Sequence, residues 1–258
     1  MTSLKIASWN VNSLRVRLPH VLTWLNEHQP DIIALQELKI PDADFPFEVI
    51  QEAGYSVIAS GQRTYNGVAV LSRSSASDIV TDLPGLEDPQ RRMLALTIGD
   101  IRVINLYIPN GESITSEKYQ YKLNWLDKFE LYLRAESKKH NKIVILGDFN
   151  IAPANIDVHD PAQWEGQVLF SEPERQAFYR MLQLGFQDCF RQLNPEDRSY
   201  SWWDYRMNAF KRNMGLRIDH ILANHRLAVT CKRCYIDKTP REWERPSDHA
   251  PVVAEFEI

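Results

Sequence analysis

The sequence predicts a single α/β domain. Short apolar runs of strand character recur along the whole chain. Between some of them the apolar residues fall three and four apart, as on one face of a helix. No repeat, low-complexity linker or compositional break divides the 258 residues. A chain of 44% hydrophobic and 25% charged residues is built like a packed globular protein, which excludes disorder, collagen-like repeats and coiled coil.

The first strand is read at 4–9, running into polar Asn10-Val11-Asn12, and a helical pattern follows at 14–28. Strands at 31–36, 55–59 and 67–72 come next, each centred on Val, Ile, Ala or Leu. The strands at 93–98 and 101–108 flank Gly99-Asp100, a two-residue hairpin signal in reversed order from the favoured Asp-Gly. In the helical pattern at 117–139, Trp125, Phe129 and Leu133 share one face. A strand at 142–146, a helix at 172–184 and strands at 217–223, 229–235 and 251–257 complete the reading, which takes 1–258 as one domain.

The longest unbroken apolar runs, such as Ile143-Val144-Ile145-Leu146, have four residues. A membrane helix needs about 20. Lys5 is followed at once by strand-like sequence rather than by a signal-peptide core, so a cytoplasmic protein is expected, with no membrane partner. Cys231 and Cys234 form a CxxC, but no second CxxC or close His pair completes a zinc site. On a strand their spacing puts the two thiols on opposite faces, and reduced, unpaired cysteines are expected.

Thirty Lys and Arg against 34 Asp and Glu give a net charge of −4. That argues against a surface built as a whole to hold nucleic acid, while local basic patches remain open. One such patch is 205–218, where Arg206, Lys211, Arg212 and Arg217 carry four positive charges and no acid intervenes. Trp202, Trp203, Tyr205 and Phe210 interleave with them, a composition suited to a duplex, with cations on phosphates and a side chain in an opened base step. A second basic stretch, 232–245, is diluted by Asp237, Glu242 and Glu244 and reads as plain surface.

Polar residues of restricted chemistry collect at the strand ends. Asn10 and Asn12 follow the first strand and Gln36-Glu37 the second. Tyr107 and Asn110 follow the strand at 101–108, and Gly147-Asp148-Phe149-Asn150 the strand at 142–146. Asp219-His220 lies on a later strand and Ser247-Asp248-His249 just before the last. Such convergence on a rigid sheet scaffold is how an active site is built. Every candidate ligand among Asn10, Glu37, Asp148, Asn150 and Asp248 offers oxygen, a set that selects Mg²⁺ or Mn²⁺ over zinc.

The sequence resembles the endonuclease/exonuclease/phosphatase superfamily, in its exonuclease III-like DNA repair branch. The matching strings are Ser-Trp-Asn-Val-Asn-Ser (8–13), Leu-Gln-Glu-Leu-Lys (35–39), Tyr-Asn-Gly-Val-Ala-Val-Leu-Ser-Arg (65–73) and Gln-Arg-Arg (90–92). Asn-Leu-Tyr-Ile-Pro-Asn-Gly (105–111), Gly-Asp-Phe-Asn-Ile-Ala-Pro (147–153) and Ser-Asp-His-Ala-Pro-Val (247–252) continue them. The most branch-specific parts are Trp-Trp-Asp-Tyr-Arg-Met-Asn-Ala (202–209) and Gly-Leu-Arg-Ile-Asp-His-Ile-Leu (215–222).

The resemblance implies a four-layer α/β sandwich of the DNase I type, two packed mixed sheets flanked by helices. It also implies a Mg²⁺-dependent phosphodiesterase (Mn²⁺ substituting). The implied partner is double-stranded DNA, cleaved at abasic sites or relieved of 3′ nucleotides and 3′ blocking groups, and the implied state is a monomer. No segment precedes the first strand, so no appended regulatory region is expected. Glu37 would be the central metal ligand with Asn10 beside it and Asp248 contributing, and Asp148, Asn150 and His249 also border the ion; one ion or two is left open. Asp148 would be the general base or orient the water, and Asn150 would position that water or stabilise the transition state. His249 would hydrogen-bond a phosphate oxygen with Asp219 orienting its ring, and Tyr107 would contact phosphate or supply a proton to the leaving group. Asn12 and Asn110 would touch phosphate or scaffold the site, Arg206 and Lys211 would hold DNA, and Trp202, Leu216 and Ile218 would line a sugar pocket. A non-enzymatic nucleic-acid binder on the same fold is disfavoured because the catalytic set is complete. An inositol phosphatase or sphingomyelinase would not be expected to carry 202–222 in this form. A paralogue specialised for 3′ ends is the alternative within the branch.

Overall fold

The computed structural model describes residues 3–258. Its strands are β1 (Ser3–Asn10), β2 (Ile32–Gln36), β3 (Ser56–Ser60), β4 (Val68–Ser72), β5 (Ala76–Val80) and β6 (Met93–Ile98). They continue with β7 (Ile101–Tyr107), β8 (Lys142–Asp148), β9 (Phe186–Asp188), β10 (Asp219–Asn224), β11 (Cys231–Ile236) and β12 (Val252–Glu257). The helices are α1 (Leu14–His28), α2 (Phe47–Glu52), α3 (Glu117–Lys139), α4 (Pro161–Trp164), α5 (Glu172–Gln183), α6 (Cys189–Leu193) and α7 (His225–Ala228). No helix among the described residues is long and apolar enough to cross a membrane.

Two six-stranded sheets form, in the orders β11-β12-β1-β2-β4-β3 and β5-β6-β7-β8-β10-β9. Both are mixed. β1 runs parallel to β2 through the α1 crossover, β7 parallel to β8 through α3, and the other ladders are antiparallel. Ile6, Ile32 and Val70 of the first sheet meet Leu96, Val103, Val144 and Ile221 of the second in the central core. The outer face of the first sheet is covered by Val21, Trp24 and Leu25 of α1. The outer face of the second takes Trp125, Phe129 and Leu133 of α3 with Phe178 and Met181 of α5. Each such side chain contributes roughly 1.5–3 kcal/mol by leaving water. The result is the expected sandwich of four layers, helices outside and sheets within.

The hairpin at 99–100 forms, with Ile98 opposite Ile101 and Gly99 at φ +60° in the first central position, where a type II′ turn needs glycine. Gly147 (φ +144°) is required for another reason: a Cβ there would lie 1.9 Å from the Leu106 carbonyl oxygen, so only glycine lets β8 approach β7. The CxxC reading is corrected. β11 slips register against β12 between Cys231 and Arg233, and this bulge resets the side-chain phase. Both thiols therefore enter the inter-sheet core beside Cys189, and all three cysteines are free.

Candidate active site

The ladders bring the polar strand ends to one rim. Asn10 pairs with Gln36 at the end of β1 and β2, Tyr107 with Asp148 at the end of β7 and β8, and Asp148 with Asp219 across β10. Beneath the rim the two sheets are joined by a buried polar link, Gln36 Nε2 donating to Asn105 Oδ1 at 2.8 Å and to Ser8 Oγ at 3.1 Å. The turns that follow are left-handed at Asn12, Glu37, Lys39 and Asn150 (φ 44°, 52°, 56° and 50°). For Glu37 and Lys39, which lack asparagine's tolerance of this region, that costs roughly 1–2 kcal/mol each.

Asp148 is 1% exposed and lies at the centre. It accepts hydrogen bonds from Asn10 Nδ2 at 2.8 Å and from the Asn150 backbone N–H at 2.9 Å. Burial, and then the Asp219 and Glu37 carboxylates, push its pKa up to about 7 against the opposing pull of His249. His249 Nδ1 donates to Asp219 Oδ2 at 2.8 Å, and Nε2 lies 3.7 Å from Asp148 Oδ2. Burial disfavours a charged ring, but Asp219 and then Asp148 hold the His249 pKa up to about 10. Ser201 Oγ donates to the same Asp219 oxygen, Oδ2, at 2.7 Å, whereas Asp219 Oδ1 is buried without a partner.

Glu37, Asp148 and His249 each offer a ligand atom, all within 4.8 Å of one another. The crowded carboxylate oxygens of Glu37 and Asp148 are donors that suit a hard divalent cation. Asn10 differs from its expected role as a ligand. Its Nδ2 donates to Glu37 Oε1 (2.9 Å) as well as to Asp148, while its Oδ1 accepts from the Asn12 N–H (3.0 Å). The donor end thus faces the carboxylates and clamps them together. Asp248 also stands outside the ligand group, because Oδ1 accepts from Asn12 Nδ2 (2.8 Å) and Oδ2 from Trp202 Nε1 (2.9 Å).

A cavity of about 360 Å³ opens on this group. Glu37, Tyr107, Asp148, Asn150 and His249 form its polar side, and Trp164, Val168, Leu169, Trp202 and Ile218 its apolar wall. Asn150 donates through Nδ2 to the Ile108 carbonyl (3.0 Å), and its Oδ1 accepts from Asn110 Nδ2 (3.1 Å). Burial, with the charges of Glu37 and Asp148, pushes the pKa of the Tyr107 hydroxyl well above the usual phenol value. His220 is structural. Burial and Arg217 push it down to about 4, and its Nε2 meets the Ile151 carbonyl at 2.8 Å.

The expected DNA contacts are only partly gathered here. Leu216 is fully buried behind the wall and does not line the cavity. Arg217 is not a loop cation: it is 1% exposed and bound to Asp157 (2.7 Å) and Asp188 (2.8 Å). Arg206 lies at the cavity mouth in an ion pair with Asp204 at 2.6 Å. The four-cation loop is corrected accordingly; Lys211 and Arg212 are its exposed cations with no ion pair among the described residues. Sequence reasoning missed Ser201, Lys39 (Nζ 2.9 Å from Glu37 Oε2) and the buried Lys122. Only the proximity of Lys39 to Glu37 was visible in the chain.

The Endonuclease/Exonuclease/phosphatase family matches residues 7–249, from the middle of β1 to His249. The chain belongs to this family. Family relatives similar to the chain include exodeoxyribonuclease III of Haemophilus influenzae, 40% identical over 98% of this chain and 100% of that protein. The 3′ phosphatase NExo from Neisseria, solved with a product DNA hairpin, superposes with a TM-score of 0.98 at 48% identity, covering 99% of this chain and 100% of that one. An AP endonuclease from Archaeoglobus fulgidus superposes with a TM-score of 0.95 at 42% identity over 99% and 100% of the two chains.

Proposed function

We propose that the chain is a DNA repair phosphodiesterase that cleaves duplex DNA at abasic sites and removes 3′ nucleotides or 3′ blocking groups. The observation that carries this is one buried carboxylate, Asp148, set between a clamped donor (Asn10), a carboxylate-backed imidazolium (His249) and an apolar wall fit for a sugar. A Mg²⁺ ion, or Mn²⁺ in its place, would be held by Glu37 and Asp148 and would neutralise charge on the phosphate. In this reading 1–258 works as one domain and as a cytoplasmic monomer.

Asp148 orients the attacking water and accepts its proton. His249, kept charged by Asp219, donates from Nε2 to a phosphate oxygen as negative charge grows there; of its two expected roles, the charged ring favours this one over ligation. The Asn150 amide keeps one N–H free beyond its bond to Ile108 and directs it at the same water. Tyr107 holds its proton tightly, which favours donating a hydrogen bond to phosphate over giving the proton to the leaving group. Trp202, Leu169 and Ile218 receive the sugar, with Leu216 supporting them from behind. Asn12 and Asn110 brace Asp248 and Asn150, and Lys211 with Arg212 reaches the DNA backbone.

A second reading, specialisation for 3′ ends, draws on Trp164 and Val168, which add to the apolar wall of the cavity. Rates on an abasic duplex and on a 3′-phosphate at a nick, each with Mg²⁺ and with EDTA, test both readings. Cleavage of both substrates with Mg²⁺, lost in EDTA, supports the first. Cleavage of the 3′ substrate alone selects the second, and EDTA-insensitive cleavage contradicts both.

A further inference from the structure

Both sides of the cavity are tied to one buried ion pair. Lys122 on α3 and Glu174 on α5 touch each other with side chains 0% exposed. Lys122 Nζ also donates to the backbone carbonyls of Asn150 at 2.6 Å and Asn110 at 3.1 Å, so all three ammonium protons are used. Glu174 accepts from the backbone N–H groups of Leu169 and Ser171, both at 3.0 Å, and from the Ser171 hydroxyl at 2.5 Å.

These partners belong to different parts of the site. Asn150 gives its N–H to Asp148 at 2.9 Å, and its side chain is braced by Asn110. Leu169 forms the apolar wall, and its carbonyl accepts from Ala152 at 2.7 Å. The pair therefore spans from the water-orienting turn to the sugar-facing wall. As a source of stability it is poor, because desolvating two ions offsets most of their attraction, and an apolar pair of equal size is often as stable. What apolar residues would not replace is the set of directed hydrogen bonds to the backbone on both sides.

We infer that Lys122 and Glu174 are positioning residues that lock the Asp148–Asn150 turn to the Leu169 wall, and thereby set turnover and the choice between abasic and 3′-terminal substrates. The inference rests on the phosphodiesterase reading above.

The test compares wild type with Lys122→Met, Glu174→Gln and the double variant Lys122→Met/Glu174→Leu. Thermal midpoints, kcat and KM on an abasic duplex and on a nicked 3′-phosphate duplex, and amide hydrogen exchange are measured for each. Lys122→Met should lose stability, since it leaves Glu174 buried and unpaired. The double variant should regain it, yet keep a kcat lowered by about 10- to 100-fold, with KM little changed, because misplacing a catalytic turn by about 1 Å has that effect. Its ratio of abasic to 3′ cleavage should shift, and exchange should quicken at 149–152 and 169–171 alone. Glu174→Gln keeps the shape, with Lys122 still held by the two backbone carbonyls, so it should fold with a lowered thermal midpoint. It should show the same shift in ratio, because its amide cannot accept from both N–H groups. Activity that returns together with the thermal midpoint, or an unchanged ratio and exchange pattern in Glu174→Gln, overturns the inference. The exchange pattern reads the lock whatever the enzyme does. Asp148→Asn in the same assay reports on the phosphodiesterase reading separately.

Discussion

Asp219 and Asp148 stand opposite each other on adjacent strands, yet the His249 ring divides them unequally, with Nδ1 2.8 Å from Asp219 and Nε2 3.7 Å from Asp148. Asp219 thus fixes the ring and leaves its second N–H directed toward the cavity. Asp219→Asn should reduce kcat by about 10²–10⁴-fold, the usual worth of a properly held proton donor or acceptor. Ser201→Ala should cost far less, because His249 still binds the carboxylate. Steady-state kinetics of the two variants check the order; equal losses would mean that Ser201 and Asp219 act as one unit.

Glu37→Gln should be partly rescued by raising Mg²⁺ or Mn²⁺, because it weakens a ligand without removing the water-orienting group. His249→Ala should not be rescued. Metal titrations of the two rates check this, and parallel responses would contradict the division of labour.

The buried Asp157 sits between Arg217 (2.7 Å) and Arg191 (2.6 Å). Burial opposes its charge, but the two guanidinium groups win, and its pKa lies below the usual carboxylate value. A depressed folded-state pKa adds stability that is complete well above the unfolded value of about 3.9 and is lost as pH falls through the folded value. Asp157→Asn should therefore cost about 3 kcal/mol near neutral pH, since it leaves Arg217 buried and underpaired. Urea unfolding at a series of pH values should show the gap to wild type narrowing only in acid.

The rim chemistry was legible in the chain because strand ends are where rigid backbone meets solvent, and Asn10, Glu37, Asp148 and His249 each interrupt an apolar pattern. The helices at 14–28 and 117–139 were legible for the same reason of period, and both have those bounds. Lost to sequence were elements without a period: the exposed edge strand β5 and the three-residue β9. Arg217 looked like part of a basic loop because its partners, Asp157 and Asp188, are distant along the chain. Lys122 was hidden in an amphipathic helix, where a lysine ordinarily faces water. The bulge in β11 brought the two thiols to one face, and no residue type in 231–234 announces a bulge.

Because Arg206 is already paired with Asp204, the duplex should be held by other cations in the loop. Lys211→Ala with Arg212→Ala should flatten the log–log salt dependence of binding by about 0.9 for each phosphate no longer neutralised. Arg206→Ala should change the slope less. Trp202→Ala removes cavity wall and the donor to Asp248, so the slope should hold while discrimination for abasic sites declines. Binding isotherms at several salt concentrations distinguish these outcomes.

If Asp148 handles the water at a metal-dependent centre, cleavage should depend on its charge and duplex binding should not. Single-turnover cleavage of a duplex by wild type and Asp148→Asn, with saturating Mg²⁺ and with duplex binding measured in parallel, tests it most directly. Binding should be unchanged in the variant and cleavage lower by several orders of magnitude. Retention of more than about a tenth of the wild-type rate, only ~1.4 kcal/mol of barrier, would contradict it.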